Sequence, residues 1–495
     1  MTNPIDSALR FRELTPERSP TASDNLTTRR SPDANRSVGR RAVVIGAGIG
    51  GLSAAGVLAR HFEEVVILER DNLPASAISR SGTPQDRHPH GLLAGGLRAL
   101  DEIFPGFARE LATAGAVPVR FARDICFERA DVGLLPQRDF GFVTLCASRP
   151  LIELTLRRQV EAIANVTLRH QSRATNIEPL TSGASLNRVR FIDGSGRVET
   201  IEADLVVDAS GRAALTLALL DAVGQQRPEV TEIGINLTYS TAVVPIPEDA
   251  TDAWKLVLTQ PAPPSLARHA VLVPTEDRRW IIAICEYNAA AWVDSWEAFL
   301  DLSCSLITRT VYNALRHAKP SDSIRHYRFP ASTWTHFERL PGLPRGVLPL
   351  ADALCRFNPI RGQGMSSAGL QARLLQDVSR GAATAPDPIA ALQAGFMAQV
   401  ASVLETPWAL STSADLAFPA TRGERPDNFA EAQRFEAALF RTAMADPLVH
   451  RTVLAVGQLL QHHRALQEPE ILRRIEAVAP TQVLATSPLA FVGAS

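Results

Sequence analysis

The chain has 495 residues, of which 45% are hydrophobic and 21% charged, values ordinary for a globular protein and unlike those of a collagenous or disordered one. A formal net charge of −1 gives no electrostatic reason to expect nucleic acid or an anionic membrane as a partner. Five scattered cysteines without a C-x-x-C pair argue against a disulfide framework or a zinc centre.

Residues 1–38 are rich in Ser, Thr, Pro, Asp and Arg, have no apolar period, and read as a disordered extension. No run of 18 apolar residues is present, so no transmembrane segment is expected, and with the reduced cysteines a cytoplasmic location is the expectation. Next comes Arg41-Ala-Val-Val-Ile-Gly-Ala-Gly-Ile-Gly-Gly51, an apolar strand entering a glycine turn and a small-residue helix. Gly46, Gly48 and Gly51 fit G-x-G-x-x-G, which permits a tight turn, close backbone approach to a pyrophosphate, and close helix–strand packing. The helix aims its free N–H groups at that phosphate. A second strand, Val65 to Leu68, ends in Glu69-Arg70, and the carboxylate is placed to accept hydrogen bonds from ribose hydroxyls. Together these elements point to a dinucleotide site.

A loop carrying Arg87-His-Pro-His90 leads to a helix through Phe104; short strands are expected near 119–146, and a helix begins at Arg149-Pro150. A hairpin turns at Asp193-Gly194, and its second strand runs into Asp208-Ala-Ser-Gly-Arg212. From Thr231 to Glu286 the period changes to two, which predicts an antiparallel sheet with one covered and one open face, suited to wall a substrate chamber. Trp292 and Trp296 are spaced one turn apart for a following helix. A further strand, Gly346 to Asp352, precedes Phe357-Asn-Pro-Ile-Arg-Gly-Gln-Gly364 and a helix to about Arg380. Helices over Ala391–Val403, Phe429–Met444 and Asp446–His462 complete the chain.

In this order the motifs resemble the FAD-dependent monooxygenases of the para-hydroxybenzoate hydroxylase type. The resemblance spans roughly residues 41 to 380 and rests on the glycine turn with Glu69, on Asp208-Ala-Ser-Gly211, and on Leu350-Ala-Asp352 with Asn358-Pro-Ile-Arg-Gly-Gln-Gly364. It implies an α/β fold: a Rossmann-type FAD-binding domain (39–225 and 346–380, with sheet insertions near 119–146) interleaved with an antiparallel or mixed β-sheet substrate domain (226–345), plus a C-terminal helical region (381–495). It also implies that Gly46, Gly48, Gly51, Glu69, Arg70, His90, Arg149, Asp208, Gly211, Asp352, Pro359, Gly362 and Gly364 bind FAD. His88 and His90 fall where the family often places an Arg-x-Arg pair. Arg361, inside the flavin loop, can serve cofactor or substrate. The family's Gly before Asp352 is Ala351 here, whose methyl group is expected to displace the strand end slightly.

The Arg87-to-Gly96 and Phe357-to-Met365 stretches look like a bacterial branch of epoxidases and hydroxylases in secondary metabolite biosynthesis. The implied reaction inserts one oxygen atom of O2 into an alkene or aromatic small molecule through a flavin C4a-hydroperoxide, with NAD(P)H as electron donor, directly or through a flavin reductase. A lipophilic substrate is expected, and no residue stands out as a catalytic base. The alternatives are an FAD-dependent reductase or dehydrogenase of isoprenoid-like double bonds, a flavin halogenase, and a non-catalytic flavoprotein. Against the halogenase, no lysine precedes Lys255, and Trp280-Ile-Ile-Ala-Ile-Cys285 is not the halogenase tryptophan motif.

Overall fold

A computed structural model describes residues 37–181, 186–248, 250, 253–289 and 292–478. The N-terminal extension expected over 1–38 therefore lies outside the described residues except for Ser37 and Val38.

A five-stranded parallel sheet runs in the order Val347–Pro349, Leu205–Asp208, Gly39–Ile45, Phe62–Leu68, Val166–Arg169. Its central strand is buried on both faces, so alternate residues feed different cores. Ala42 and Val44 pack with the helices Ile49–Leu58 and Arg149–Glu161. Val43 and Ile45 pack against Ile177, Val189 and Phe191 of a small three-stranded sheet. The expected hairpin lies in that small sheet, with Ile192 opposite Val198.

The second large sheet has eight strands, ordered Cys355–Arg356, Arg325–Thr335, Val230–Pro245, Arg279–Tyr287, Arg268–Thr275, Leu256–Thr259, Ile125–Arg129, Gly133–Leu134. It is antiparallel except where Leu256–Thr259 meets Ile125–Arg129. One expectation fails here: neither face is open. Leu237, Tyr239, Cys285 and Tyr287 join the central core, whereas Ala242, Val244, Ile282 and Ile284 are covered by Phe299, Leu306, Val311 and Leu315. The unbroken apolar run Trp280 to Cys285 was the signal, since a strand buried on both faces does not alternate. The helix that covers this face starts at Trp296, where the Ser295 hydroxyl accepts from the Ala298 N–H at 3.1 Å. Trp292 consequently lies before the helix and is 42% exposed.

The C-terminal part begins with one helix, Pro388–Asp415, which continues twelve residues past its expected end at Val403 and passes through Pro407. Proline there removes one backbone hydrogen bond, a loss the packing of Phe396, Leu404 and Trp408 outweighs. By length and composition this helix could cross a membrane. Here its buried Ser411 and Asp415 bond to other parts of the protein. Helices Phe429–Ala445, Pro447–Gly457 and Pro469–Val478 form a satellite core around Phe435, Val449 and Ile475.

Candidate active site

The glycine turn after the first strand takes three different shapes at three glycines. Gly46 has φ +100°, and a Cβ there would lie 2.8 Å from the Ala209 carbonyl oxygen. Gly48 caps the helix Ile49–Leu58 and has nothing within 4 Å of its Cβ position, so its backbone is open to an approaching group. At Gly51 a Cβ would fall 1.9 Å from the Gly46 carbonyl oxygen. Gly51 thus lets the helix sit on the strand and does not itself line the cleft.

Glu69 closes this turn. Its carboxylate accepts from the Ala47 N–H at 2.7 Å and from the Asp71 N–H at 2.9 Å. Arg80, which no sequence motif marked, lies 3.4 Å from Glu69 and 2.7 Å from both Asp71 and Glu153. Burial works against its charge, but the hydrogen bond and charge of Glu153, then Glu69 and Asp71, hold the guanidinium well above its ordinary pKa. Arg149 opens the helix Arg149–Glu161; its Nη2 is 3.9 Å from Glu153, and its buried Nε has no hydrogen-bond partner among the described residues. The His90 ring nitrogen Nδ1 is 2.8 Å from the His88 carbonyl. Burial, and then the Arg149 charge, push His90 down to about 3, so it is neutral at pH 7.

Asp208 is fully buried. It accepts from the Ser210 hydroxyl at 2.6 Å and the Thr216 hydroxyl at 2.8 Å, and so shapes the bend that presents Ser210, Gly211 and Arg212. Like Gly51 it stands behind the cleft. Gly51 has the helix–strand packing place that its motif implies, and Asp208, expected at the cofactor, fixes the backbone that does the facing.

The flavin loop is held from three sides. Asn358 is buried: its side-chain oxygen accepts from the Ile360 N–H at 3.1 Å, and its amide donates to Asp415 at 2.7 Å and to the Tyr287 hydroxyl at 3.1 Å. The Ser411 hydroxyl donates to Gln363 at 3.0 Å. Gly362 has φ +64°, and the helix Gly364–Ala382 starts two residues later. Asp352 is open to the cleft but enclosed by protein on its other sides. That enclosure raises its carboxyl above the usual range, against the pull of Arg149 and Arg356.

Ala351 adopts φ +61°, a left-handed conformation unusual for alanine. The methyl group packs against Gly50, where a Cβ would lie 2.5 Å from that of Ala351. A glycine in the opposite turn thus leaves room for it.

All these parts meet in one cleft of about 660 Å³. Gly46, Gly48, Glu69, Arg70, His90, Arg149, Gly211, Asp352, Pro359, Gly362 and Gly364 line it. So do Arg80, Arg173, Arg212 and Arg356, which give it a strong excess of positive charge over Glu69 and Asp352. At one end His88, Tyr239, Tyr327, Phe329 and Phe357 form an aromatic wall. His88 holds Thr241 through Nδ1 at 2.7 Å, and its ring centroid is 5.5 Å from those of Tyr239 and Tyr327. The arginines and tyrosines come from loops and strand interiors without a local pattern; only Arg212, adjoining Gly211, carried a sequence cue. Volume, charge and the two open glycine bends fit an elongated dinucleotide with an anionic middle and a flat aromatic end.

Residues 42–244 match the family model described as FAD dependent oxidoreductase. Protein Rv3254 of Mycobacterium tuberculosis (strain ATCC 25618 / H37Rv) is 33% identical over 346 residues, covering 67% of this chain and 71% of that protein. Among solved structures, a flavoprotein/dehydrogenase from Cytophaga hutchinsonii aligns with a TM-score of 0.61 at 13% identity, over 88% of this chain and 98% of the other. PqsL from Pseudomonas aeruginosa, a probable FAD-dependent monooxygenase, aligns at 0.54 and 18% identity, over 77% and 97% respectively; it is also solved in complex with 2-aminobenzoylacetate. At these identities the structural likeness speaks to the fold, which is that of the para-hydroxybenzoate hydroxylase type.

Proposed function

The chain belongs to the FAD-dependent oxidoreductases, and on that premise we propose that it is a monooxygenase that places one oxygen atom of O2 on an alkene or aromatic small molecule, by epoxidation or hydroxylation. The observation that carries this reading is the single cleft in which both glycine bends, a ring of arginines and an aromatic wall meet. FAD, when bound, supplies the oxygen-activating chemistry. The chain supplies binding, orientation and dryness. Gly48 and the first turn of Ile49–Leu58 offer N–H groups to the pyrophosphate, with Arg149 and Arg212 adding charge. Glu69 would orient a ribose hydroxyl, and Asp352 would meet the ribityl chain. Gly362, Gly364 and the helix they open would offer positive dipole to the electron-rich edge of the flavin. Pro359 stiffens the loop. Tyr239, Tyr327, Phe329 and Phe357 wall off water above it.

Residues 39–225 and 346–380 make the cofactor domain in this reading, apart from Ile125–Arg129, Gly133–Leu134 and Cys355–Arg356, which extend the large sheet of the substrate domain 226–345; 381–495 is the C-terminal helical region. The electron donor is NAD(P)H, directly or through a flavin reductase, and the location is cytoplasmic. A small substrate agrees with the 2-aminobenzoylacetate complex of PqsL. The second reading is a reductase or dehydrogenase of isoprenoid-like double bonds; the flavoprotein/dehydrogenase from Cytophaga hutchinsonii shows that the same fold carries a dehydrogenase name. Purified protein is expected to be yellow with one FAD per chain and to take up oxygen when given NADH or NADPH, with or without an added reductase. Product formed without oxygen would transfer the assignment to the second reading, and a colourless protein indifferent to added FAD would end both.

A further inference from the structure

Beyond the aromatic wall, the inner face of the large sheet carries polar groups that the cofactor reading leaves unused. Tyr239 stands opposite Cys285 on one side, and His269 stands opposite Cys285 on the other, so the three lie in a row on one face. The row is about 10 Å long, two strand spacings. Arg361 rises from the flavin loop toward it, its Nη1 donating to Gln260 at 3.1 Å. Gln260 and His269 adjoin the cross-strand pair Thr259–Ala270, and the Tyr287 hydroxyl donates to Asp415 at 2.7 Å, so the charge of Arg361 reaches His269, Asp415 and Tyr287.

In this patch the Arg361 Nε, both ring nitrogens of His269, the Asp415 Oδ2 and the Tyr239 hydroxyl are buried without a hydrogen-bond partner among the described residues. His269 is 1% exposed, Asp415 0% and Tyr239 4%. Leaving a buried donor or acceptor unmet destabilises a fold by more than a typical hydrogen bond contributes, and native chains rarely gather several in one place. Arg361 has no carboxylate within ion-pair distance among the described residues, and Asp415 spends its other oxygen on Tyr287 and Asn358.

We propose that Arg361, His269, Asp415 and Tyr239 form the polar anchor of the substrate chamber and select an oxygen-rich ring system that presents a carbonyl-type oxygen and a hydroxyl on one edge. Arg361 and His269 donate to the carbonyl-type oxygen; Asp415 accepts from the hydroxyl; Tyr239 meets the edge nearest the cleft. The inference rests on the monooxygenase reading for the word substrate, but the anchor itself is a binding claim. It revises the expectation of a purely lipophilic substrate, because an apolar molecule would leave every one of these groups unmet.

The test is calorimetric titration of the full-length protein with oxidised FAD bound and no reductant present. The probes are 7-hydroxy-1-tetralone, its 7-methoxy analogue, and naphthalene. The hydroxyketone, whose phenol keeps its proton at neutral pH, is expected to bind at least ten-fold tighter than the methoxy compound, and the methoxy compound ten-fold tighter than naphthalene. Asp415→Asn should erase the first step and Arg361→Met the second, with Arg361→Lys intermediate and His269→Gln retaining part of it. Equal binding of the three, an order that survives Arg361→Met, or no binding by any of them would overturn the anchor. Oxygen uptake with NAD(P)H is measured separately, so loss of the monooxygenase reading would show there and leave the binding result to stand or fall alone.

Discussion

The two ends of the cleft are built on opposite terms. At the nucleotide end the polar side chains are largely committed to one another: Glu69 to Ala47 and Asp71, Asp208 to Ser210 and Thr216, Arg80 to Asp71 and Glu153. What faces the cleft there is the backbone of the glycine bends together with Arg70, Arg149, Arg173, Arg212 and Arg356. At the other end, behind Tyr239, the side chains of Arg361, His269 and Asp415 keep buried polar atoms uncommitted among the described residues. One end is set before anything arrives, as a constant partner such as a dinucleotide permits; the other keeps its hydrogen bonds in reserve for one particular molecule.

The sharpest way to break that contrast is at Gly51. A methyl group there meets the Gly46 carbonyl oxygen at 1.9 Å, so Gly51→Ala should destabilise the protein by on the order of 3 kcal/mol and abolish FAD retention. Urea unfolding and the ratio of flavin to protein absorbance would measure both. If FAD were retained at full occupancy, the turn would be softer than the geometry implies.

Asp415 sharpens it from the other end. Burial pushes its carboxyl up to about 6, with Arg361 pulling the other way. A carboxyl that binds its proton more tightly in the folded state makes stability fall as pH rises from its unfolded value near ~4 to about 6, by roughly 2–3 kcal/mol. The difference in unfolding free energy between wild type and Asp415→Asn should therefore change across that window and be flat above it. A difference independent of pH would show that Asp415 does not titrate there. His269 works in the opposite sense: its pKa is pushed down to about 3 by burial and then by Arg361, so its contribution is lost as pH falls from about 6.5. His269→Gln should accordingly blunt the acid limb of the stability curve.

A smaller effect joins the two glycine bends. Gly50→Ala alone should clash with Ala351, whereas Gly50→Ala with Ala351→Gly should recover most of the loss, a coupling of about 1–2 kcal/mol. Ala351→Gly by itself should change stability by less than about 1 kcal/mol, since relief of the left-handed alanine is set against the greater freedom of glycine in the unfolded chain. Smallest of all, breaking the exposed Arg227–Asp221 pair should leave unfolding and FAD content unchanged.

How much of this was legible in the sequence follows the same division. The Rossmann turn, the Asp208 bend and the flavin loop are local patterns in which spacing encodes backbone shape, so the sequence placed them and their order gave the fold. The packing role of Gly51 is legible in its motif, whereas that of Asp208 as a support is not, since it depends on which side of the backbone faces the cleft. The anchor around Arg361 was out of reach, because Gln260, His269, Tyr287 and Asp415 are brought together by strand register and by a helix far along the chain. The covered outer face of the large sheet is readable in Trp280 to Cys285, an apolar run without alternation. The length of Pro388–Asp415 was not, since Pro407 is a stop signal that packing overrides.

That long helix changes what the flavin loop is. Ser411 and Asp415 grip Gln363 and Asn358 from a segment beyond every family motif. Cutting the chain at residue 381 would therefore not yield a minimal flavoprotein but one with its reactive loop unmoored. The tail is thus part of the wall that fixes the loop's shape, not an appendage to it.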